Sequence, residues 1–427
     1  MKVKKIEYPS VKEEVTYLTL DNGLEVILVP KNDYRETYAL LSTKFGSIDR
    51  DICKSDEEVK VYPAGVAHFL EHKLFEDEEG YDYLEKFVEL GADSNAFTTY
   101  HRTAYLFSLT NQEQLSSAMS LLFQMLSQLH VTDENVAREK EIIKQEIIMY
   151  EDQVDDYLYY KTLANLYPET SLANDIAGSV TSVDAISKED LQENFSYFYQ
   201  PSNMTFTLVG RFDTDEVLDF FSQQEQDVDS DVNVLVDRDL PSYPVRDGES
   251  IRRDIATPKL SIGLRSKKKL EGISNIRYKV ILRILFSMMF GWTSRRFQEL
   301  YEAGKIDHSL AMEIEVEDTY QFFIMTMETE EPLSLSHQLK QAIKDFAEDD
   351  DINEEHLDSV KRETFGDLLQ RLNSLEFIAG ELVGSKSPDQ IFDIPQILQE
   401  LDLRQVLQVA HDFIDDADLI DFTVFPK

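Results

Sequence analysis

The sequence is poor in cysteine, in cations and in long apolar runs, and each shortage excludes something. Cys53 is the only cysteine among 427 residues, so no disulfide can form within the chain, and a zinc site would have to use histidine and carboxylate ligands. A reducing compartment fits. Residues Met1 to Glu14 carry basic side chains at positions 2, 4 and 5 but no apolar h-region, and the expected location is the cytoplasm. The longest apolar run, Val280 to Trp292, is interrupted by Arg283 and falls short of the ~20 residues that span a bilayer. Lys and Arg number 42 against 82 Asp and Glu, a net charge of −40. Such a surface repels nucleic acid and anionic membranes, and it favours cationic partners such as basic peptides unless it serves solubility alone.

What the chain does have is core material. Hydrophobic residues make up 42% and aromatics 11%, well above a disordered polymer, and a prior of ~100–200 residues per domain suggests two to four domains. Residues 15 to 31 alternate around Asp21-Asn22-Gly23 as two strands and a tight turn. A strand from Thr37 to Lys44 follows, then an acidic loop to about residue 60. Pro63 suits the first turn of a helix, and Val66, Phe69, Leu70 and Leu74 recur at helical spacing. A helix over 83–90, a strand pair over 95–109, and helices over 111–129 and 133–152 come next. Mostly helical residues 155–200 lead to a strand at 204–210 and a helix at 214–224. The second half repeats the order: a strand at 259–266, helices at 276–290 and 293–303, strands near 308–316 and 319–329, and helices at 333–347, 353–383 and 404–415. Leu419 to Phe425 forms the last strand. Met288, Met289 and Phe290 read as core. The expectation is an α+β protein of two duplicated domains, each a mostly antiparallel sheet packed with helices, forming a clamshell half. The first spans 1–224, the second 251–427, and the acidic, proline-bearing stretch 225–250 links them.

The candidate chemistry lies in His68-Phe69-Leu70-Glu71-His72. On a helix the two histidines stand one turn apart, and Glu71 reaches the same side. Two imidazoles and one further carboxylate would hold zinc and leave a position open for water. Glu71 cannot easily be a ligand while both neighbouring histidines are, so it is free to act on the water as general base. On the 133–152 helix, Glu139 and Glu146 are two turns apart and share a face. The other histidines, His101, His130, His337, His356 and His411, lack nearby ligand partners and read as structural.

This string matches the inverted zinc motif of the inverzincins, and with the downstream glutamate pair it resembles the pitrilysin, insulinase and mitochondrial processing peptidase family. The resemblance implies a zinc endopeptidase with one Zn2+ per chain, with His68, His72 and Glu146 as ligands, Glu71 as general base and Glu139 as an acid supporting the site. Gly91-Ala92-Asp93-Ser94-Asn95-Ala96-Phe97-Thr98 is similar to the family's Gly-x-x-x-Asn-Ala-x-Thr segment, which implies that Asn95, Ala96, Phe97 and Thr98 contact a peptide added as a strand. Tyr199-Gln200-Pro201-Ser202-Asn203-Met204 resembles a structural Tyr-x-Pro-x-Asn-Met segment of these proteins.

One segment departs from the pattern. Members that act alone carry an Arg and a Tyr in the second domain, where Ser294 to His308 places Tyr301 and His308, or Asp307 if one gap is allowed. The resemblance therefore implies a heterodimer whose related, zinc-free partner supplies the Arg-Tyr pair, with a homodimer as the other arrangement. The expected substrates are unfolded peptides enclosed between the halves. The alternative is a weakly catalytic or non-catalytic peptide-binding scaffold, against which the intact Glu71 argues.

Overall fold

The structure, a computed structural model, describes residues 2–54, 59–223, 234–236, 238, 240–268, 272–383 and 388–427. The first half runs β1 (Lys2–Tyr8), β2 (Glu13–Thr19), β3 (Glu25–Pro30), β4 (Thr37–Thr43), β5 (Asp51–Lys54), β6 (Lys60–Val61), α1 (Val66–Lys73), α2 (Tyr83–Glu89), β7 (Ala92–Thr98), β8 (Thr103–Leu109), α3 (Leu115–Ser127), α4 (Asp133–Glu151), α5 (Val154–Leu166), α6 (Val180–Ala185), α7 (Lys188–Phe198), β9 (Met204–Gly210) and α8 (Thr214–Gln223). The second runs β10 (Val234–Val236), β11 (Glu249–Arg253), β12 (Lys259–Arg265), α9 (Asn275–Phe290), α10 (Arg295–Glu302), β13 (Ala311–Val316), β14 (Gln321–Glu328), α11 (Pro332–Lys344), α12 (Glu354–Arg371), α13 (Leu375–Leu382), α14 (Ile394–Glu400), α15 (Leu403–Ile414) and β15 (Asp418–Pro426).

The fold is α+β with two compact units. The first unit holds a seven-stranded sheet in the order β1-β2-β3-β9-β4-β8-β7, and the second a five-stranded sheet in the order β11-β15-β12-β14-β13. Five strands of the larger sheet, β3-β9-β4-β8-β7, follow the same path as the smaller one. In both, the first pair is parallel and the rest are antiparallel. That shared topology is the structural sign of duplication, which the repeated order of elements along the sequence suggests.

The compact units do not follow the chain in one cut. Residues 149–173, with α5, belong to the second unit, and residues 371–386, with α13, to the first. The reason is the demand of each helix for a sheet face. Within the second unit α5 lies on β12 and β15, burying Leu158, Leu163 and Leu166, and Thr162 Oγ1 donates to Ser261 Oγ at 2.7 Å. Within the first, α13 lies on β4 and β9, with Ile378 and Ala379 fully buried.

Several expected boundaries move. The helix expected over 353–383 is two, because Ser374 caps α13 by accepting from Phe377 N at 3.1 Å, and a serine competes for backbone partners in this way. Pro63 lies before α1 rather than in its first turn. Strand β1 and helix α14 were not expected; Pro395 suits the first turn of α14. Of the 225–250 stretch read as a linker, residues 225–233, 237 and 239 lie outside the described residues. Among the others, β10 pairs with β5 and β11 with β15. Met288, Met289 and Phe290 are core as expected, packed with Phe286, whose ring stacks on Phe323 at 3.8 Å between centroids.

Candidate metal centre

Helix α1 is fixed at both its start and its inner face. Gly65, immediately before it, has φ 91°, and a Cβ there would meet the carbonyl oxygen of Ala177 at 2.4 Å. Only glycine meets both demands without strain. Val66, Ala67, Phe69 and Leu70 point into the core of the first unit, which leaves His68, Glu71 and His72 on the other side of the turn. On α4, Val136, Glu139, Ile143 and Ile147 form the buried stripe, so Glu139 comes to the site from the core side. Glu146 stands beside that stripe.

These elements bring His68, His72 and Glu146 together, with ligand atoms within 4.8 Å of one another. His68 Nε2 is 3.8 Å from Glu146 Oε1, and His72 Nε2 is 3.4 Å from Glu146 Oε2. Ligands ~2.0–2.1 Å from a tetrahedral zinc stand ~3.4 Å apart, so the donor set and its spacing both fit the ion. No other group of His, Cys and carboxylates among the described residues converges in this way. Glu139 accepts from His72 Nδ1 at 3.0 Å, which leaves His72 Nε2 facing Glu146 and available to a metal. His68 Nδ1 is buried with no hydrogen-bond partner. Glu71 stays outside the ligand group and accepts from Thr98 Oγ1 at 2.6 Å.

The charges of the cluster suit a cation. Burial, reinforced by the neighbouring His72, lowers the His68 pKa to about 4. Burial also works against a charged His72, but the hydrogen bonds it donates to Glu139 and Glu146 outweigh it and raise that pKa to about 9. The hydrogen bond from His72 holds Glu146 below the usual carboxylate range despite burial. Burial lifts Glu71 to about 6, against the pull of Thr98 and His72. The carboxylates around the two imidazoles favour positive charge there, and a divalent cation would satisfy all three candidate ligands.

Known proteins decide the family. The insulinase pattern (peptidase family M16) matches residues 57–180, and the pattern of the peptidase M16 inactive domain matches residues 185–364. The zinc protease YmfH of Bacillus subtilis is 32% identical over 431 residues, covering 100% of both chains. The chain belongs to peptidase family M16. A solved M16-like peptidase from Alicyclobacillus acidocaldarius superposes with a TM-score of 0.89 at 30% identity, covering 99% of this chain and 100% of that one. A protease from Helicobacter pylori shares the fold, with a TM-score of 0.76 at 18% identity over 97% of this chain and 100% of that one. No helix among the described residues is long and apolar enough to cross a membrane.

Within this M16 fold, β7 is an edge strand, and its alternation divides the four residues expected to touch peptide. Ala96 and Thr98 lie on one face, Ala96 against the core and Thr98 on Glu71. Asn95 and Phe97 lie on the other. Asn95 Oδ1 accepts from the Ala96 backbone at 2.9 Å, and the Arg102 guanidinium stands over the Phe97 ring at 5.8 Å. In the second unit Tyr301 and His308 meet each other, Oη to Nε2 at 3.2 Å. The sequence reading missed three charged neighbours of the centre: Lys73, Glu76 and Arg138. Their signals were available in the i,i+3 pairing of Lys73 with Glu76 and in the position of Arg138 next to Glu139.

Proposed function

We propose that the chain is a zinc-dependent endopeptidase, and the observation that carries this is the division of labour at the centre: three ligand atoms converge while Glu71, one residue from His72, is held outside the ligand set by Thr98. Zinc bound there supplies a Lewis acid for the scissile carbonyl and activates the attacking water. His68, His72 and Glu146 hold it, and Glu139 fixes the His72 ring. Glu71 takes the proton of the water and passes it to the leaving amine, a task suited by a carboxyl raised towards neutrality. The open edge of β7 takes the substrate as an added strand. Substrates are therefore extended, unfolded peptides, and the net charge of −40 favours basic ones. The single cysteine supports a cytoplasmic setting.

The Arg and Tyr that assist catalysis in members acting alone come, in this reading, from a related partner chain. The supporting observation is that Tyr301 and His308, at the corresponding positions, are engaged with each other. The chain should carry one zinc and cleave unfolded peptides, faster with the partner present. Glu71→Gln should keep the zinc and lose cleavage. Zinc-loaded protein that leaves a diverse peptide library intact, with and without the partner, would establish a scaffold instead.

A further inference from the structure

Lys73 is the last residue of α1, directly after His72, and its side chain is 0% exposed. A buried ammonium is tolerated only with counter-charges, and Lys73 has two: it is ion-paired with Glu76 and stands 4.0 Å from Glu139 Oε2. Glu76 is itself held by Arg138, whose Nη2 lies 2.9 Å and 3.0 Å from its two carboxylate oxygens. Charges therefore alternate from the surface inward, Arg138, Glu76, Lys73, Glu139, and end on the Nδ1 of the ligand His72. The other oxygen of Glu139 is the one that accepts from that Nδ1.

We infer that Lys73 is a positioning residue for the metal centre, acting through Glu139. Its charge draws one oxygen of that carboxylate inward and leaves the other on His72 Nδ1, which keeps Nε2 turned to the ligand group. Without Lys73, Glu139 would lose the charge that balances its inner oxygen, and the carboxylate would swing from the imidazole N–H towards water. The ring it orients would then lose its fixed tautomer. Groups that orient a metal-binding histidine are typically worth 10–100-fold in metal affinity, and Lys73 stands one step behind such a group.

This inference rests on the reading of His68, His72 and Glu146 as a zinc site. Zinc affinity is measured by competition with a chromophoric chelator on the full chain, alongside the melting temperature of the metal-free protein. Lys73→Met should weaken zinc binding about 10-fold and Lys73→Arg should retain most of it. In a Glu139→Gln background, Lys73→Met should change the affinity no further, because its route is already cut. If Lys73→Met does not fold, Glu76→Gln, which releases Lys73 from its other anchor, tests the same dependence on Glu139. Unchanged affinity in Lys73→Met, or losses that simply add in the double variant, would overturn the inference while leaving the zinc site standing. A wild-type chain that binds no zinc would overturn both.

Discussion

Thr98 donates its hydroxyl hydrogen to Glu71 Oε2 at 2.6 Å, joining the edge strand β7 to the helix that carries both histidines. The contact opposes the burial that raises the Glu71 pKa, and it keeps the carboxylate out of the ligand group. Thr98→Val preserves the shape and removes the donor. A hydrogen bond to a charged group is worth about 1.5–3 kcal/mol, so kcat/KM for peptide cleavage should fall about 10–100-fold while zinc content stays at the wild-type level. A Thr98→Val enzyme with unaltered kinetics would assign the orientation of Glu71 to something else.

Gly65 sets where α1 begins, and it admits no side chain. A residue other than glycine at φ 91° costs about 1–2 kcal/mol for the backbone alone, and the added Cβ would stand 2.4 Å from Ala177 O. Gly65→Ala should therefore lower unfolding stability by about 3 kcal/mol in a denaturant titration and reduce zinc retention on dialysis. Equal midpoints for variant and wild type would show that the turn has room the structure does not indicate.

The pairing of residues within each helix was readable because its geometry is local, whereas the joining of Glu146 to the two histidines came from the family resemblance. Spacings of four and seven residues put His68 with His72, and Glu139 with Glu146, on common helix faces whatever the rest of the chain does. Contacts that depend on how elements meet were not readable. The Glu71–Thr98 bond requires the register of β7 against α1, and Lys73 is buried by its tertiary neighbours. The acidic run Glu348 to Asp351 reads as a solvated loop, yet Asp351 is buried and accepts from Arg295 N at 2.7 Å. The placement of α5 and α13 belongs to the same class, since amphipathic periodicity says that a face is buried but not against which sheet.

Docking of α5 in the second unit relies on the absence of a side chain at Gly263, in the middle of β12. A Cβ there would lie 2.8 Å from Thr162 Cγ2 and 2.9 Å from Leu166 Cδ1. Gly263→Val should overpack this seam and destabilise the second unit by about 1–3 kcal/mol, read as faster proteolysis between residues 149 and 173. Gly263→Ala, with less volume to place, should be milder. Valine tolerated with native protease resistance would show that α5 does not depend on this close approach.

The far end of α5 is anchored by charge. Arg265 donates to Leu166 O at 2.6 Å and to Tyr243 O at 2.9 Å, and it is paired with Asp418, which Lys267 also contacts at 2.7 Å. Burial alone would raise the Asp418 pKa, but the bonds from Lys267 and Arg265 outweigh it and hold the carboxyl below its ordinary value of 3.8. A carboxyl depressed in the folded state binds fewer protons there than when unfolded, so its contribution is complete above the unfolded value and is lost as pH falls through the folded one. Asp418→Asn should therefore lower stability by about 2 kcal/mol at pH 7, and the gap between variant and wild type should narrow only below about pH 4. Chemical denaturation from pH 3 to 8 measures this. A gap that stays constant to pH 3 would mean that Asp418 acts through its shape, and a gap that widens on acidification would reverse the assigned direction of its shift.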